Sequence, residues 1–215
     1  MKKPIKPLIG YYGYWVVLTY MSILAAGLGI YFAYDGSVRK AILCMIVSGI
    51  CDTFDGRVAS TAKRNERQLN YGMQIDAMAD LISFGILPAA ILYAAAKDAG
   101  AFGYIHALIG AVIVLTALIR LSYFNAVEME MYHKKEKRTY FEGLPTTNVA
   151  LIIPITYAIC NLLETAFLPV YSALLLVISL LYILRFKLPK LKTRTQIIII
   201  VVGIPIILYI LFMGV

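Results

Sequence analysis

Asp52, Asp55, Asp76 and Asp80 sit inside two otherwise apolar stretches of the chain. A charged carboxylate at the centre of a membrane helix costs about 2.5 to 3.5 kcal/mol on insertion scales, so four of them need a partner. Their spacings are three and four residues, which on a helix put each pair on one face, one turn apart. Two such helices running antiparallel bring all four to a common point, and the group that belongs there is cationic. Carboxylate oxygens are hard ligands that suit Mg²⁺ or Mn²⁺, with Ca²⁺ as a further occupant, rather than zinc or copper. Two such ions about 3.5 to 4 Å apart steady the entering and leaving oxygens of a phosphoryl transfer. A carboxylate not used up by metal takes the proton of an attacking hydroxyl. The pattern therefore predicts phosphoryl-type transfer at a membrane surface.

The elements that hold these residues follow from hydropathy. Of 215 residues 61% are hydrophobic, against about 45 to 50% in soluble domains, and the mean hydropathy is +0.80. Long unbroken apolar runs select helices over a barrel, so the chain reads as all-α, a single polytopic membrane bundle over residues 1–215. Spans are expected near 11–34, 38–62, 72–97, 101–128, 146–163, 167–186 and 195–214, each close to the roughly 20 residues that cross the hydrocarbon. The first six form a core over about 11–186; the seventh is an extra C-terminal helix. The basic start, Met1 to Lys6, resembles the head of a signal peptide, but the apolar run behind it is too long and reads as the first span.

Alternate connections hold 15 lysines and arginines and the opposite side only Arg39, Lys40 and Lys97, which places the N-terminus and the carboxylates toward the cytoplasm. The net charge of +8 is thereby assigned to loops beside anionic lipid, and nucleic acid is not expected as a partner. Tyr11, Tyr12, Tyr14 and Trp15 fall where an interfacial aromatic belt is expected. Cys44, Cys51 and Cys160 lie in apolar runs without metal-ligand spacing and read as free thiols.

Asp52-x2-Asp55-Gly56-x2-Ala59 followed by Gly72-x3-Asp76-x3-Asp80 closely resembles the signature of the CDP-alcohol phosphotransferases, D-x2-D-G-x2-A-R-x8-9-G-x3-D-x3-D. Asp80-Leu-Ile-Ser-Phe-Gly-Ile-Leu-Pro88, Arg120-Leu-Ser-Tyr-Phe-Asn125 and Tyr140-Phe-Glu-Gly-Leu-Pro145 resemble segments of the branch of that family that makes phosphatidylserine, so the likeness covers about residues 48–150. It implies a six-helix core, a homodimer, a cleft open to the cytoplasm, and transfer from CDP-diacylglycerol to L-serine. By carry-over, Asp52, Asp55 and Asp76 hold two divalent cations, and Asp80 is the general base and a further ligand. Asp52, Gly56, Ala59 and Gly72 meet the nucleotide. Two departures stand out. Ser60 replaces the motif's Arg, with 11 residues before Gly72, which leaves Arg57, Lys63 or Arg64 to meet phosphate; Tyr123 replaces the second Arg of R-L-A-R-F-N. Arg120, an intramembrane cation, and Asn125 are the expected acceptor or phosphate contacts, with Glu142 a further candidate; pairing of Arg120 with one of the aspartates is the structural alternative.

Two alternatives remain open on sequence. A sister enzyme using glycerol 3-phosphate or an inositol phosphate should place two or more further basic residues beside Arg120. A cation transporter also buries aspartates, yet transporters often show internal repeats, and the Asp pattern does not recur in residues 100–215.

Overall fold

The computed structural model describes residues 8–134 and 140–189. Seven α-helices build it: α1 Val17–Tyr34, α2 Val38–Ser60, α3 Glu66–Leu81, α4 Leu87–Asp98, α5 Tyr104–Lys134, α6 Val149–Leu162 and α7 Phe167–Ile183. A π-helical turn, Ile82–Ile86, joins α3 to α4 without a break, so the seven form six rods, the expected six-helix core. Two three-residue strands, β1 Tyr140–Glu142 and β2 Lys187–Pro189, pair antiparallel on the side where α5 ends and α6 begins. The expected helix at 195–214 lies outside the described residues.

Three of these rods are long and apolar enough to cross a membrane, Tyr14–Tyr34, Glu66–Asp98 and Tyr104–Met131, and α6 and α7 are shorter apolar helices. Helix α2 has the length, at 23 residues, but carries Arg39, Lys40, Asp52, Asp55 and Arg57. Leucines such as Leu24, Leu108, Leu115 and Leu180 face outward, as a lipid-facing surface requires.

The boundaries move in an informative direction. The third helix starts at Glu66, not near 72, because Asn65 and Gln68 form a reciprocal cap: the Asn65 side chain accepts from the Gln68 N–H at 2.9 Å, and the Gln68 side chain from the Asn65 N–H at 3.0 Å. Asp76 and Asp80 therefore lie about 15 and 21 Å above the helix start at 1.5 Å per residue, rather than the roughly 6 to 12 Å that a start near residue 72 gives. Helix α5 likewise continues to Lys134 rather than stopping near 128. Both long helices overshoot on the same, positively charged side.

The interior is closed by small residues and shared hydroxyls. A side chain at Gly49 would run into the Cβ of Ala150, so α2 and α6 meet nearly backbone to backbone. Fully buried Ser48 and Ser83 bond at 2.7 Å, and Ser22 reaches Ser48 at 2.6 Å. One residue from α1, one from α2 and one from the π-turn thus satisfy one another where no water can. The π-turn has a local cause in Pro88, which lacks an N–H and clashes with the carbonyl four residues back. That carbonyl, of Phe84, lies 3.4 Å from the Tyr182 hydroxyl of α7.

Candidate active site

Side chains reaching from α2 and α3 set Asp52 against Asp80 and Asp55 against Asp76, each pair of carboxyls within hydrogen-bonding reach. One oxygen each from Asp52, Asp76 and Asp80 lies within 4.8 Å of the others, and these three residues are half-buried. Asp55, 7% exposed, stands behind them, joined to the cluster through Asp76. The expected convergence of four carboxylates thus resolves into a triad with a fourth member in contact.

Three of the four are oriented by a threonine that the sequence reading did not single out. Thr147 donates to Asp52 Oδ2 at 2.6 Å, Thr146 to Asp80 Oδ2 at 3.1 Å, and Thr19 to Asp55 Oδ2 at 3.1 Å. Thr146 and Thr147 lie in a 3₁₀ turn, Thr146–Asn148, that begins after Pro145 and leads into α6. The signal available in sequence was this pair of adjacent threonines at the mouth of an apolar helix; Thr19, lone in α1, gave none.

The donor set fits a divalent cation. It is all oxygen, three donors are already gathered, and hydroxyls fix the carboxylates as second partners of metal ligands commonly do.

The residues expected at the nucleotide lie around this cluster with different surroundings. Gly56 is exposed, and a Cβ there would meet nothing within 4 Å. At Gly72 an added Cβ would sit 3.1 Å from Arg64 Nη1 and 3.5 Å from the Trp15 ring. Arg64 lies over Trp15 at 5.5 Å, so Gly72 makes room for the arginine, one turn before Asp76. Trp15 itself is buried, a correction to the interfacial belt, whereas Tyr12 and Tyr14 are exposed as that belt requires. Tyr11 packs edge-on against Tyr71 of α3. Arg57 is exposed over Phe54, Lys63 is exposed, and Ala59 is half-buried. Ser60, at the position of the missing Arg, turns its hydroxyl back to the Arg57 carbonyl at 2.6 Å.

Arg120 is buried, 14 residues from the end of α5, about 21 Å and so comparable in depth to Asp80. Its guanidinium lies 4.4 Å from the Phe124 ring centre and 6.0 Å from that of Tyr182, and Nη1 reaches the Tyr182 carbonyl at 3.5 Å. Gly143 closes over it: its φ of +68° suits glycine, and a Cβ would fall 2.7 Å from Arg120 Nη1. The Tyr182 hydroxyl lies 3.5 Å from the carbonyl of Thr146, the residue that holds Asp80. Arg120 and the cluster are therefore two residues apart in one chain of contacts. The side-chain oxygen of Asn125 is buried without a hydrogen-bond partner among the described residues. The Glu142 side chain lies outside what is described.

A cavity of about 240 Å³ opens between α5 and the end of α7, lined by Arg120, Tyr123, Phe124, Tyr182 and Arg185 among others. The molecule is thus an integral membrane helical bundle with a carboxylate cluster that fits a divalent cation and an arginine-lined cavity linked to it through Tyr182 and Thr146. The chain belongs to the CDP-alcohol phosphatidyltransferase family, whose model matches residues 16–213. It is 32% identical over 168 residues to an archaetidylserine synthase of Methanothermobacter thermautotrophicus, covering 77% of this chain and 67% of that protein. It is 33% identical over 128 residues to a CDP-diacylglycerol–serine O-phosphatidyltransferase of Mycobacterium leprae, covering 60% of this chain and 41% of that one. A protein of the same description from Saccharomyces cerevisiae is 36% identical over 118 residues, 53% of this chain and 40% of its own length. The matched stretch thus spans about two fifths of the latter two relatives.

Proposed function

We propose that the chain transfers the phosphatidyl group of CDP-diacylglycerol to the hydroxyl of L-serine, releasing CMP and forming phosphatidylserine. The observation that carries this reading is the gathering of Asp52, Asp76 and Asp80, with Arg120 linked to them through Tyr182 and Thr146. The relatives' names differ in the lipid and agree on serine.

In this reading Asp52, Asp55, Asp76 and Asp80 hold two Mg²⁺ or Mn²⁺ ions. Bound there, the ions neutralise the charge of the diphosphate. Asp80 takes the proton of the serine hydroxyl as its oxygen bonds to the β-phosphorus. The bond from that phosphorus to the bridging oxygen breaks, and the oxygen leaves with CMP. Thr146 keeps the Asp80 carboxyl aimed, and Thr147 does the same for Asp52. Asp52, Gly56, Ala59 and Gly72 border the nucleotide. Arg64, pinned between Trp15 and Gly72, meets phosphate in place of the motif arginine that Ser60 replaces, with Arg57 and Lys63 at the exposed rim. Arg120 meets the serine carboxylate with two parallel N–H donors, and Asn125 accepts from the acceptor.

The phosphorylated-acceptor alternative called for two or more cations beside Arg120, and among the described residues the cavity adds one, Arg185. That count favours a carboxylate. The charge asymmetry of the loops supports a cytoplasmic N-terminus and site, and the family resemblance supports a homodimer, which light scattering on purified protein tests. The deciding experiment supplies radiolabelled L-serine and CDP-diacylglycerol to purified protein. Labelled phosphatidylserine with equimolar CMP is expected; CMP release with glycerol 3-phosphate but not with L-serine would overturn the acceptor and leave the family chemistry standing.

A further inference from the structure

Arg185 follows α7 in a short extended stretch whose backbone is fixed on both sides. The Leu184 N–H bonds the Leu180 carbonyl at 3.0 Å, and the Phe186 carbonyl accepts the Gly143 N–H at 2.8 Å. From this anchored position the side chain reaches across to α5. Its Nη2 donates to the Tyr123 hydroxyl at 2.9 Å, and the guanidinium carbon sits 5.0 Å from the Tyr123 ring centre. Tyr123 packs edge-on against Phe124 at 5.4 Å, and Phe124 carries Arg120 on its ring at 4.4 Å. Two guanidinium groups are thus mounted on two touching rings, and both line the same cavity, whose described lining contains no carboxylate. Of the five N–H donors on a guanidinium, the phenol of Tyr123 takes only one of Arg185's.

We propose that Arg185, presented by Tyr123, is the second guanidinium of the acceptor cavity and closes on the acceptor's anionic end opposite Arg120. The proposal rests on the reading of that cavity as the acceptor site. It also gives the departure at position 123 a physical meaning. Where the resembling motif has an arginine, this chain has Tyr123, and the Tyr123 hydroxyl holds the guanidinium of Arg185.

Steady-state kinetics on the purified full-length protein test this. Arg185→Gln should raise KM for L-serine by about tenfold to a hundredfold, the range for a lost hydrogen bond to a charged group, while KM for CDP-diacylglycerol and kcat move less than threefold. Tyr123→Phe, which removes the hydroxyl and keeps the ring, should raise the same KM by a smaller factor. Tyr123→Arg added to Arg185→Gln should restore it. A KM for serine within twofold of wild type in Arg185→Gln overturns the proposal. So does a rise confined to the CDP-diacylglycerol KM, or a fall in kcat and thermal stability with KM for serine unchanged, which is what a purely structural role gives. Should Arg185→Gln not fold, Tyr123→Phe decides alone: an unchanged serine KM overturns. If the wild type uses glycerol 3-phosphate and not serine, the serine reading falls, and the same variants measured on glycerol 3-phosphate decide the role of Arg185 separately.

Discussion

Thr147→Val removes one hydroxyl and keeps the shape of the side chain, and its effect can be worked out in advance. The bond it deletes, 2.6 Å to Asp52 Oδ2, is the shortest of the three threonine–aspartate bonds. Hydrogen bonds to a charged group contribute about 1.5 to 3 kcal/mol, and 1.4 kcal/mol is a factor of ten. Loss of the hydroxyl should therefore weaken apparent metal affinity about 10- to 100-fold, the range also found when the outer partners of metal ligands are removed. The assay is CMP release against Mn²⁺ or Mg²⁺ concentration: the Thr147→Val curve should shift to higher metal and regain most activity at saturation. Thr147→Ser, which restores the hydroxyl, should overlay the wild type. Thr146→Val and Thr19→Val, whose bonds are 3.1 Å, should shift less. Coincident curves for Thr147→Val and wild type would refute the idea that this hydroxyl holds a metal ligand, and so would a Thr147→Ser variant as impaired as the valine.

Asp76→Ala should abolish CMP release, as should excess chelator; full activity in either falsifies the two-metal reading. Arg120→Lys should lose serine use, because a point charge cannot replace the two-pronged guanidinium, and a serine KM within twofold of wild type would count against it. Gly143→Ala should be destabilised by about 1 to 3 kcal/mol, since its φ of +68° and the nearby Arg120 Nη1 both oppose a Cβ; thermal unfolding at an unchanged midpoint would show the loop does not close there. Single cysteines at Asn65 and Lys135, in a background lacking Cys44, Cys51 and Cys160, should react with an impermeant thiol reagent from the cytoplasmic side only. Labelling from outside would invert the topology.

The carboxylates were legible because helical periodicity converts spacings of three and four into a shared face, and intramembrane charge is too costly to lack a partner. The start of α3 was also written in the sequence: Asn65 and Gln68 stand at capping-box spacing, but polar residues 66–71 read as loop when hydropathy alone draws the boundary. Which aspartate each threonine serves was not legible, since the partners lie 36 to 95 residues apart and only the packed bundle brings them together. Gly56 and Gly72 look equivalent in a motif, yet one faces open space and the other seats Arg64. Arg185 read as one cation among many in a basic loop until the end of α7 was placed against α5.

The lateness of those threonines gives the site a history in time. Asp52 precedes Thr147 by 95 residues and Asp80 precedes Thr146 by 66. At about 5 to 20 residues per second of synthesis, Asp52 waits roughly 5 to 20 seconds for its hydroxyl to be made. During that interval α1 to α4 already have the serines that join them, while Asp52 and Asp80 lack the side chains that aim them. A chain interrupted before residue 146 therefore inserts acidic residues without their orienting partners. Arrival of the turn before α6 supplies those hydroxyls and removes that burden from the bundle, so two aimed carboxylates record that synthesis has passed residue 147.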